Sequence, residues 1–159
     1  MNGGSRLLDR YYLRPDDMWW RVENDELLYT PIVVVRGAEH SHIYLSGQLS
    51  RLPSGEVIGI GDMRAEIRQI CENIKTGLNH VGATFDDVTR SATYVVAEHV
   101  EEYYAASAER FKYFNNVRPT STVVPVVRLG KIECKVEIEC EAIIESERLP
   151  LGDMKQWMI

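Results

Sequence analysis

Positive charge is scarce in this sequence, since 18 lysines and arginines stand against 24 aspartates and glutamates, for a formal net charge of −6. No basic run offsets that excess, and phosphate binding depends on clustered lysine and arginine, so no nucleic-acid partner is expected. Long apolar runs are absent too, and no segment reaches the roughly 20 residues of a membrane-spanning helix. The first residues lack the basic and then apolar plan of a signal peptide. We therefore expect a cytoplasmic protein with no membrane partner.

Cysteine is also rare, and its pattern excludes a disulfide framework. Cys71, Cys134 and Cys140 are odd in number and form no C-x-x-C pair, so we expect them to be reduced and buried. Among the histidines only His40 and His42 have a spacing that could chelate a metal, and such a pair is more often a solvated surface feature. We predict no metal site.

What the sequence does contain is typical of one globular domain, with 45% hydrophobic and 26% charged residues. The clearest element is a helix from Asp62 to about Val81, with Asp62 as its N-cap and Gly82 at its end. Its apolar residues recur every three or four positions and form one stripe that faces a core. That stripe consists of Ile67, Ile70, Ile74, Leu78 and Val81.

Several further segments predict strands and a second helix. The predicted strands are 32–35, 42–48, 56–58, 88–96, 121–129 and 131–145. Residues 98–114 predict a second helix with Val100, Tyr104, Ala108 and Phe111 on its inner face. This order predicts an α+β fold in which a mixed β-sheet carries two helices packed on one face.

Two strands carry informative details. Pro125 removes a backbone donor and favours an edge position or a bulge in strand 121–129. Gly47 inside strand 42–48 is typical of a bulge or of a place where another group approaches the backbone closely. Strand 131–145 alternates cleanly, with apolar residues on one face and Lys135, Glu137, Glu139 and Glu141 on the other. The second face is only half polar, so we expect part of it to be buried by association between chains.

The chain divides into an N-terminal extension (1–28), an organised domain (29–145) and a C-terminal tail (146–159). Trp19 and Trp20 are too costly to leave in water, so the extension should pack on the domain or on a neighbouring subunit. A lid over a pocket is the alternative interpretation of the extension. The polar tail is expected to be a surface appendage.

A distributed set of motifs resembles the RidA (YjgF) family over about residues 30 to 145. The matching segments are Ser46-Gly47-Gln48, Gly55-Glu56-Val57, Glu72-Asn73-Ile74, Gly82-Ala83, Asp87-Val88, Pro119, Ser121-Thr122-Val123, Arg128-Leu129 and Val136-Glu137-Ile138-Glu139. The resemblance implies a chorismate-mutase-like fold, assembled as a homotrimer with small-molecule clefts between subunits. It also implies cofactor-independent hydrolysis of reactive enamines and imines, such as 2-aminoacrylate, to a keto acid and ammonia.

The resemblance also implies roles for individual residues. Glu137 would position and deprotonate the attacking water, Ser46 and Gly47 would supply polar contacts, and the backbone at Val123 would hold the imine nitrogen. Ser107 matches a pocket asparagine. A pocket tyrosine falls near Ile32, with Tyr29 close by.

One informative position departs from the family pattern, because Ser121 stands where a carboxylate-binding arginine belongs. A serine cannot offer the two-donor fork of a guanidinium. Arg118 is the nearest replacement in sequence, but a surface charge is the favoured interpretation of it. For Glu137 the functional role is favoured over one charge on a solvated strand face.

Three functions follow from this sequence. The first is a RidA-like deaminase with a substrate other than or larger than 2-aminoacrylate. The second is a non-catalytic small-molecule-binding trimer of the same fold. The third, an endoribonuclease, rests on an older family label and is disfavoured by the net charge of −6.

Overall fold

The structure, a computed structural model, describes residues 8–159, so the first seven residues of the predicted extension lie outside it. Its centre is a six-stranded sheet in the order β1-β4-β5-β8-β6-β7, beside a two-stranded hairpin of β2 and β3. The strands are β1 (Asp9–Leu13), β2 (Val22–Glu23), β3 (Glu26–Leu27), β4 (Ile32–Arg36), β5 (His40–Gln48), β6 (Val88–Val96), β7 (Thr120–Val126) and β8 (Val136–Glu145). The helices are α1 (Met63–Asn79), α2 (Val100–Ala106) and α3 (Leu151–Met154).

The sheet is mixed, as the sequence predicted. All neighbouring strands are antiparallel except β6 and β7, which run parallel and are joined through α2. β7 is an edge strand, which explains how it tolerates Pro125. α1 packs against β5 and β8, and α2 packs against β6 and α1. The α+β class and the two helices on the sheet are therefore confirmed.

The first helix forms where its periodicity places it. The Asp62 carboxylate accepts hydrogen bonds from the backbone N–H groups of Arg64 and Ala65, at 3.0 and 3.1 Å. Gly82 has φ +71°, the left-handed conformation that ends such a segment. The predicted apolar stripe is fully buried, although its last member, Val81, lies just beyond the end of the helix.

The second helix differs from the prediction. α2 ends at Ala106, and residues 107–112 form a 3₁₀ helix in which the Ser107 hydroxyl donates to the Tyr104 carbonyl at 2.8 Å. A 3₁₀ turn holds three residues rather than 3.6, so a stripe drawn for one continuous α-helix is out of register from Ser107 onward. The error at Tyr104 lies before that change, within α2 itself. Tyr103 and Ala106 are the buried residues, whereas Tyr104 and Phe111 are exposed.

The strand predictions need three corrections. No strand forms at 56–58, where Val57 makes a single bridge to Arg51 and the N–H groups of Leu52 and Ile58 donate to the carbonyls of Glu56 and Ser50, so the predicted hairpin is too short to count as a pair of strands. β7 ends at Val126 rather than at 129. β8 begins at Val136 rather than at 131, since residues 131–134 form a turn. From Val136 onward the predicted alternation holds, and every apolar position from 136 to 144 on the inner face is buried.

The cysteines occupy the interior. All three are free and buried, as predicted. Burial raises the pKa of Cys71 and that of Cys140 to about 12. Because the thiolate is the reactive form, neither thiol is a nucleophile near neutral pH.

The two terminal segments pack on the domain and on each other. β1 pairs with β4 at the sheet edge, and the Arg14 backbone N–H donates to the Trp157 carbonyl at 2.9 Å. The prediction that residues 146–159 are a surface appendage is wrong, because Leu149 and Met154 are buried in the core. Their spacing in a short helix and turns gave no periodic signal.

We expect Met154→Ala to lower the free energy of unfolding by about 2–5 kcal/mol, the usual cost of deleting a large buried side chain. Met154 is fully buried, whereas Met158 in the same segment is 49% exposed and provides the matched control. Urea unfolding of the two variants measures the difference. Equal midpoints for Met154→Ala and the unaltered chain would show that the tail is not part of the core.

Candidate active site

A β-bulge between β5 and β8 creates the local geometry of the site. The pairing register shifts between Leu45 and Gln48, which frees Ser46 and Gly47 from regular pairing. A Cβ atom at Gly47 would lie 2.9 Å from the Glu137 carboxyl carbon and would overlap one of its oxygens. Only glycine at this position lets the Glu137 side chain lie across β5.

Glu137 differs from the other charged residues on its face of β8. The others have partners: Lys135 pairs with Glu102 at 3.0 Å, Glu139 accepts from the Tyr94 hydroxyl at 3.2 Å, and Glu141 pairs with Arg90 at 2.9 Å. Glu137 makes no hydrogen bond or ion pair with any side chain in residues 8–159. A half-buried carboxylate left without a partner is unlike a solvated surface charge.

The electrostatic surroundings favour the neutral form of Glu137. Burial raises the pKa of its carboxyl group, and the negative charge of Glu139 raises that pKa further. A raised pKa brings a carboxylate closer to the range in which it can both accept and return a proton near neutral pH.

A cavity of about 310 Å³ opens beside Glu137. Of the residues predicted for the site, the structure brings together Tyr29, Ser46, Gly47 and Glu137 in this one cavity. The remaining lining residues are Trp19, Arg21, Leu28, Gln48, Leu49, Arg51, Asn73 and Gly130. Burial raises the pKa of the Tyr29 hydroxyl, so this phenol stays protonated and can donate a hydrogen bond into the cavity.

Sequence reasoning assigned no role to Asn73 or Arg51, and for Trp19 it offered packing or a lid over a pocket as the two interpretations of the extension. The Asn73 amide donates to the carbonyls of Leu49 and Arg51, at 3.0 and 2.8 Å, and so fixes the loop that follows β5. Asn73 belongs to one of the matching motifs, which was the available signal. Arg51 carried no such signal, because its contact with Trp19 forms only in the folded chain.

A buried carboxyl group supports the strand that carries Glu137. Glu66 of α1 is fully buried and accepts a hydrogen bond from the Lys135 backbone N–H at 2.9 Å. Burial raises the pKa of Glu66. The contact fixes the beginning of β8 against α1, just before Glu137.

The other predicted site residues lie elsewhere. The edge strand β7 contains Ser121 and Val123, and Arg118 lies just before it. The Ser107 hydroxyl donates to the Tyr104 carbonyl within the helix. The Ser121 hydroxyl bonds that of buried Ser91, which places it on the helix side of the sheet, whereas Glu137 lies on the opposite face. Within one chain these residues therefore do not meet Glu137.

Ile32 and Arg118, two other residues predicted for the site, both lie outside the Glu137 cavity. Ile32 is fully buried in β4, so it cannot contact a ligand, and its assignment to the site is wrong; Tyr29 is the residue that lines the cavity. Arg118 donates to the Val117 carbonyl at 3.2 Å, and its guanidinium lies 4.8 Å from the centre of the Phe111 ring. Arg118 thus sits at β7, away from the Glu137 cavity.

The family model for endoribonuclease L-PSP matches residues 29–144, which include the bulge, Asn73 and Glu137. The chain belongs to the RidA/YjgF family. A RutC family protein of Pyrococcus abyssi is 31% identical over 106 residues, which cover 66% of this chain and 79% of that protein. The 3-aminoacrylate deaminase RutC of Acinetobacter baylyi is 30% identical over 96 residues, or 60% of this chain and 74% of the relative.

Solved structures of RidA-type proteins have the same fold. RidA from an Antarctic Psychrobacter superposes with a TM-score of 0.68 at 22% identity, covering 84% of this chain and 98% of the other. A structure described as an endoribonuclease of Thermotoga maritima gives 0.71 at 24% identity, covering 84% and 97%. These similarities establish the fold.

Residues 8–159 contain no group of three or more histidine, cysteine, aspartate or glutamate side chains arranged to hold a metal ion. In the same residues, no helix is both long and apolar enough to cross a bilayer.

We expect Gly47→Ala to push the Glu137 carboxylate aside and to destabilise the fold by at most about 1 kcal/mol, because the added methyl group overlaps the far end of a flexible side chain. In a Glu137→Ala background the same change should cost much less, since the overlapping group is gone. Urea unfolding of the two single variants and the double variant measures this coupling. Gly152→Ala is the control, because a Cβ there meets nothing within 4 Å. If the two changes lower the free energy of unfolding additively, the Gly47 and Glu137 positions are not in close contact.

Glu137→Gln should stabilise the protein at neutral pH. The folded state raises the pKa of Glu137 above its ordinary value of 4.5, so the folded state holds the proton more tightly than the unfolded state does. The stability from that proton is present at low pH and is lost as pH rises through the folded pKa. Urea unfolding from pH 4 to 8 should show that the free energy of unfolding of the variant increases relative to that of the unaltered chain as pH rises. Glu141→Gln, which removes the ion pair with Arg90, should show no such gain.

Proposed function

We propose that the protein is a hydrolytic deaminase of a reactive enamine or imine larger than 2-aminoacrylate. The observation that carries this proposal is Glu137, a half-buried carboxylate with no protein partner in residues 8–159, which lines a cavity with Ser46 and Tyr29. The family relationship supports the reaction class, because the Acinetobacter baylyi relative is named a 3-aminoacrylate deaminase.

The residues present suffice for the chemistry, since an imine carbon is electrophilic enough for a positioned water. An enamine first tautomerises to its imine. Glu137 accepts a proton from water while the water oxygen bonds to the imine carbon. The group attacked is the protonated imine, so the addition leaves a neutral carbinolamine. The Glu137 carboxyl group then gives its proton to the amine nitrogen, and the resulting carboxylate takes the proton of the new hydroxyl group as the C–N bond breaks and ammonia leaves. Ammonia accepts that proton from Glu137 and departs as ammonium, which restores the carboxylate. The products are a carbonyl compound and ammonia, and no cofactor is consumed.

The size and lining of the cavity support a larger substrate. Its volume of about 310 Å³ lies at the lower end of the usual range for small-molecule sites, roughly 300–1,000 Å³, and exceeds what a three-carbon acid needs. Trp19, Leu28 and Tyr29 give it an apolar wall that can pack against a substrate side chain.

A homotrimer is part of this proposal. Three of the site positions implied by the family resemblance do not reach Glu137 within one chain: Ser107, Ser121 and Val123. Ser121 lies on the other side of the sheet from Glu137. In a trimer with clefts between subunits, as the family resemblance implies, those three positions would reach the Glu137 cavity of a neighbour. A cytoplasmic location is also proposed, because all three cysteines are free.

A binding trimer without catalysis is the second candidate. Its supporting observation is Ser121, which is exposed on β7 where the family pattern has a carboxylate-binding arginine. Such a protein would bind the same class of molecule without releasing ammonia.

The deaminase proposal predicts rapid ammonia release from freshly generated imines of several amino acids. Glu137→Gln should reduce the rate by about 10²- to 10⁴-fold, the usual contribution of a general base. Glu141→Gln, which changes a neighbouring carboxylate outside the cavity, should retain the rate. A coupled ammonia assay under pseudo-first-order conditions provides the measurement.

The other outcomes are separable. Tight binding of a 2-oxo acid in calorimetry, with ammonia release no faster than in buffer, would favour the binding trimer. Cleavage of labelled RNA that persists through purification, with no imine hydrolysis, would favour the ribonuclease of the family description.

A further inference from the structure

Arg51 places a positive charge in the same cavity as Glu137. It lies in the loop after β5 and makes no ion pair or side-chain hydrogen bond within residues 8–159. Its Nε atom is enclosed by protein and has no hydrogen-bond partner there. The two Nη groups also make no hydrogen bond within residues 8–159, so this pair of donors remains available to bind a planar anion.

The guanidinium is held in place from two sides. Its central carbon lies 3.9 Å from the centre of the Trp19 ring, which is close cation–π stacking. The Arg51 carbonyl accepts the Asn73 amide at 2.8 Å, which fixes the backbone from which the side chain extends. A donor fixed in this way loses little conformational freedom when a ligand binds.

The second arginine of the cavity is already neutralised. Arg21 donates to the Glu23 carboxylate at 2.6 Å, and its side chain is 49% exposed. Of the two arginines that line the cavity, Arg51 is therefore the one whose charge is available to a ligand.

Arg51 and Glu137 carry opposite charges in one cavity, yet they form no ion pair. Burial and the charge of Glu139 raise the pKa of Glu137. The cavity lining therefore includes both a carboxyl group that can act as a base and a guanidinium that can bind an anion.

We propose that Arg51, positioned by Trp19, binds the carboxylate of a 2-imino acid substrate and replaces the arginine that the chain lacks at Ser121. This inference rests on the proposed function, since it assigns the substrate class of that same cavity. A bidentate contact from Arg51 orients the acid so that its imine carbon points toward Glu137. The substrate class is a 2-imino acid with a sizeable apolar side chain, which packs against Leu28 and Tyr29.

The test compares two imines that differ only in the carboxylate. The imino acid of phenylalanine is generated by an amino-acid oxidase, and the imine of phenylacetaldehyde is generated from phenethylamine by an amine oxidase. We expect Arg51→Met to raise KM for the imino acid about 10- to 100-fold, the loss expected for a charged hydrogen-bonded pair, with a small change in kcat. KM for the imine without a carboxylate should stay the same.

Three further variants sharpen the comparison. Arg51→Lys keeps the charge without the fork and should recover part of the affinity. Trp19→Leu should raise KM for the imino acid and leave kcat unchanged. Trp19→Phe should return KM to its original value, as expected of a residue that positions Arg51. Arg14→Met is the matched control, because Arg14 stacks on Trp20 in the same manner at 4.4 Å but lies outside the Glu137 cavity.

A binding measurement separates this inference from the proposed reaction. Phenylpyruvate, the stable product, should bind the unaltered protein in calorimetry and should bind Arg51→Met at least tenfold more weakly. If that difference appears but no ammonia is released, the assignment of Arg51 stands and the deaminase proposal fails. If ammonia release depends on Glu137 while KM and phenylpyruvate affinity are unchanged in Arg51→Met, the assignment of Arg51 is overturned.

Discussion

The close approach of β5 to β8 at Gly47 is the constraint on which the candidate site depends. Without a side chain at Gly47, the bulge leaves room for the Glu137 carboxylate to lie across the neighbouring strand instead of extending into water. The same crowding removes the partners that a surface glutamate would find. β8 supplies an apolar face to the core and a charged face to the outside, and the bulge converts one of those outside charges into a desolvated base.

Rigidity around that base comes from polar contacts rather than from apolar packing alone. Glu66 fixes the beginning of β8, and Asn73 fixes the loop after β5, so both strands of the bulge are tied to α1. A catalytic carboxylate gains from such support, because small displacements of a base reduce proton transfer steeply. The helix that was easiest to recognise in the sequence therefore also organises the chemistry.

The sequence predicted the parts of the molecule that obey one long period. The Asp62-capped helix and the alternation of β8 each extend over ten residues or more, so their patterns average out local exceptions. The inner face of residues 107–112 could not be predicted, because the change from α to 3₁₀ geometry at Ser107 alters the period. Tyr104 was misassigned within α2, where its neighbour Tyr103 is the buried aromatic residue. Glu137 was identified from a motif. Its lack of a partner and the stacking of Arg51 on Trp19 depend on contacts between distant segments, which no local pattern records.

The terminal segments meet on one side of the domain, where Leu13 bridges to Met158 and Arg14 donates to the Trp157 carbonyl. The wall of the cavity that carries Trp19 is thus built by segments outside residues 29–144, while the base comes from within them. Glu137 and the part of the cavity wall formed by Trp19, Arg21 and Leu28 are therefore separable in sequence. Exchange of the N-terminal segment would reshape that part of the wall with no change to the strands that hold Glu137.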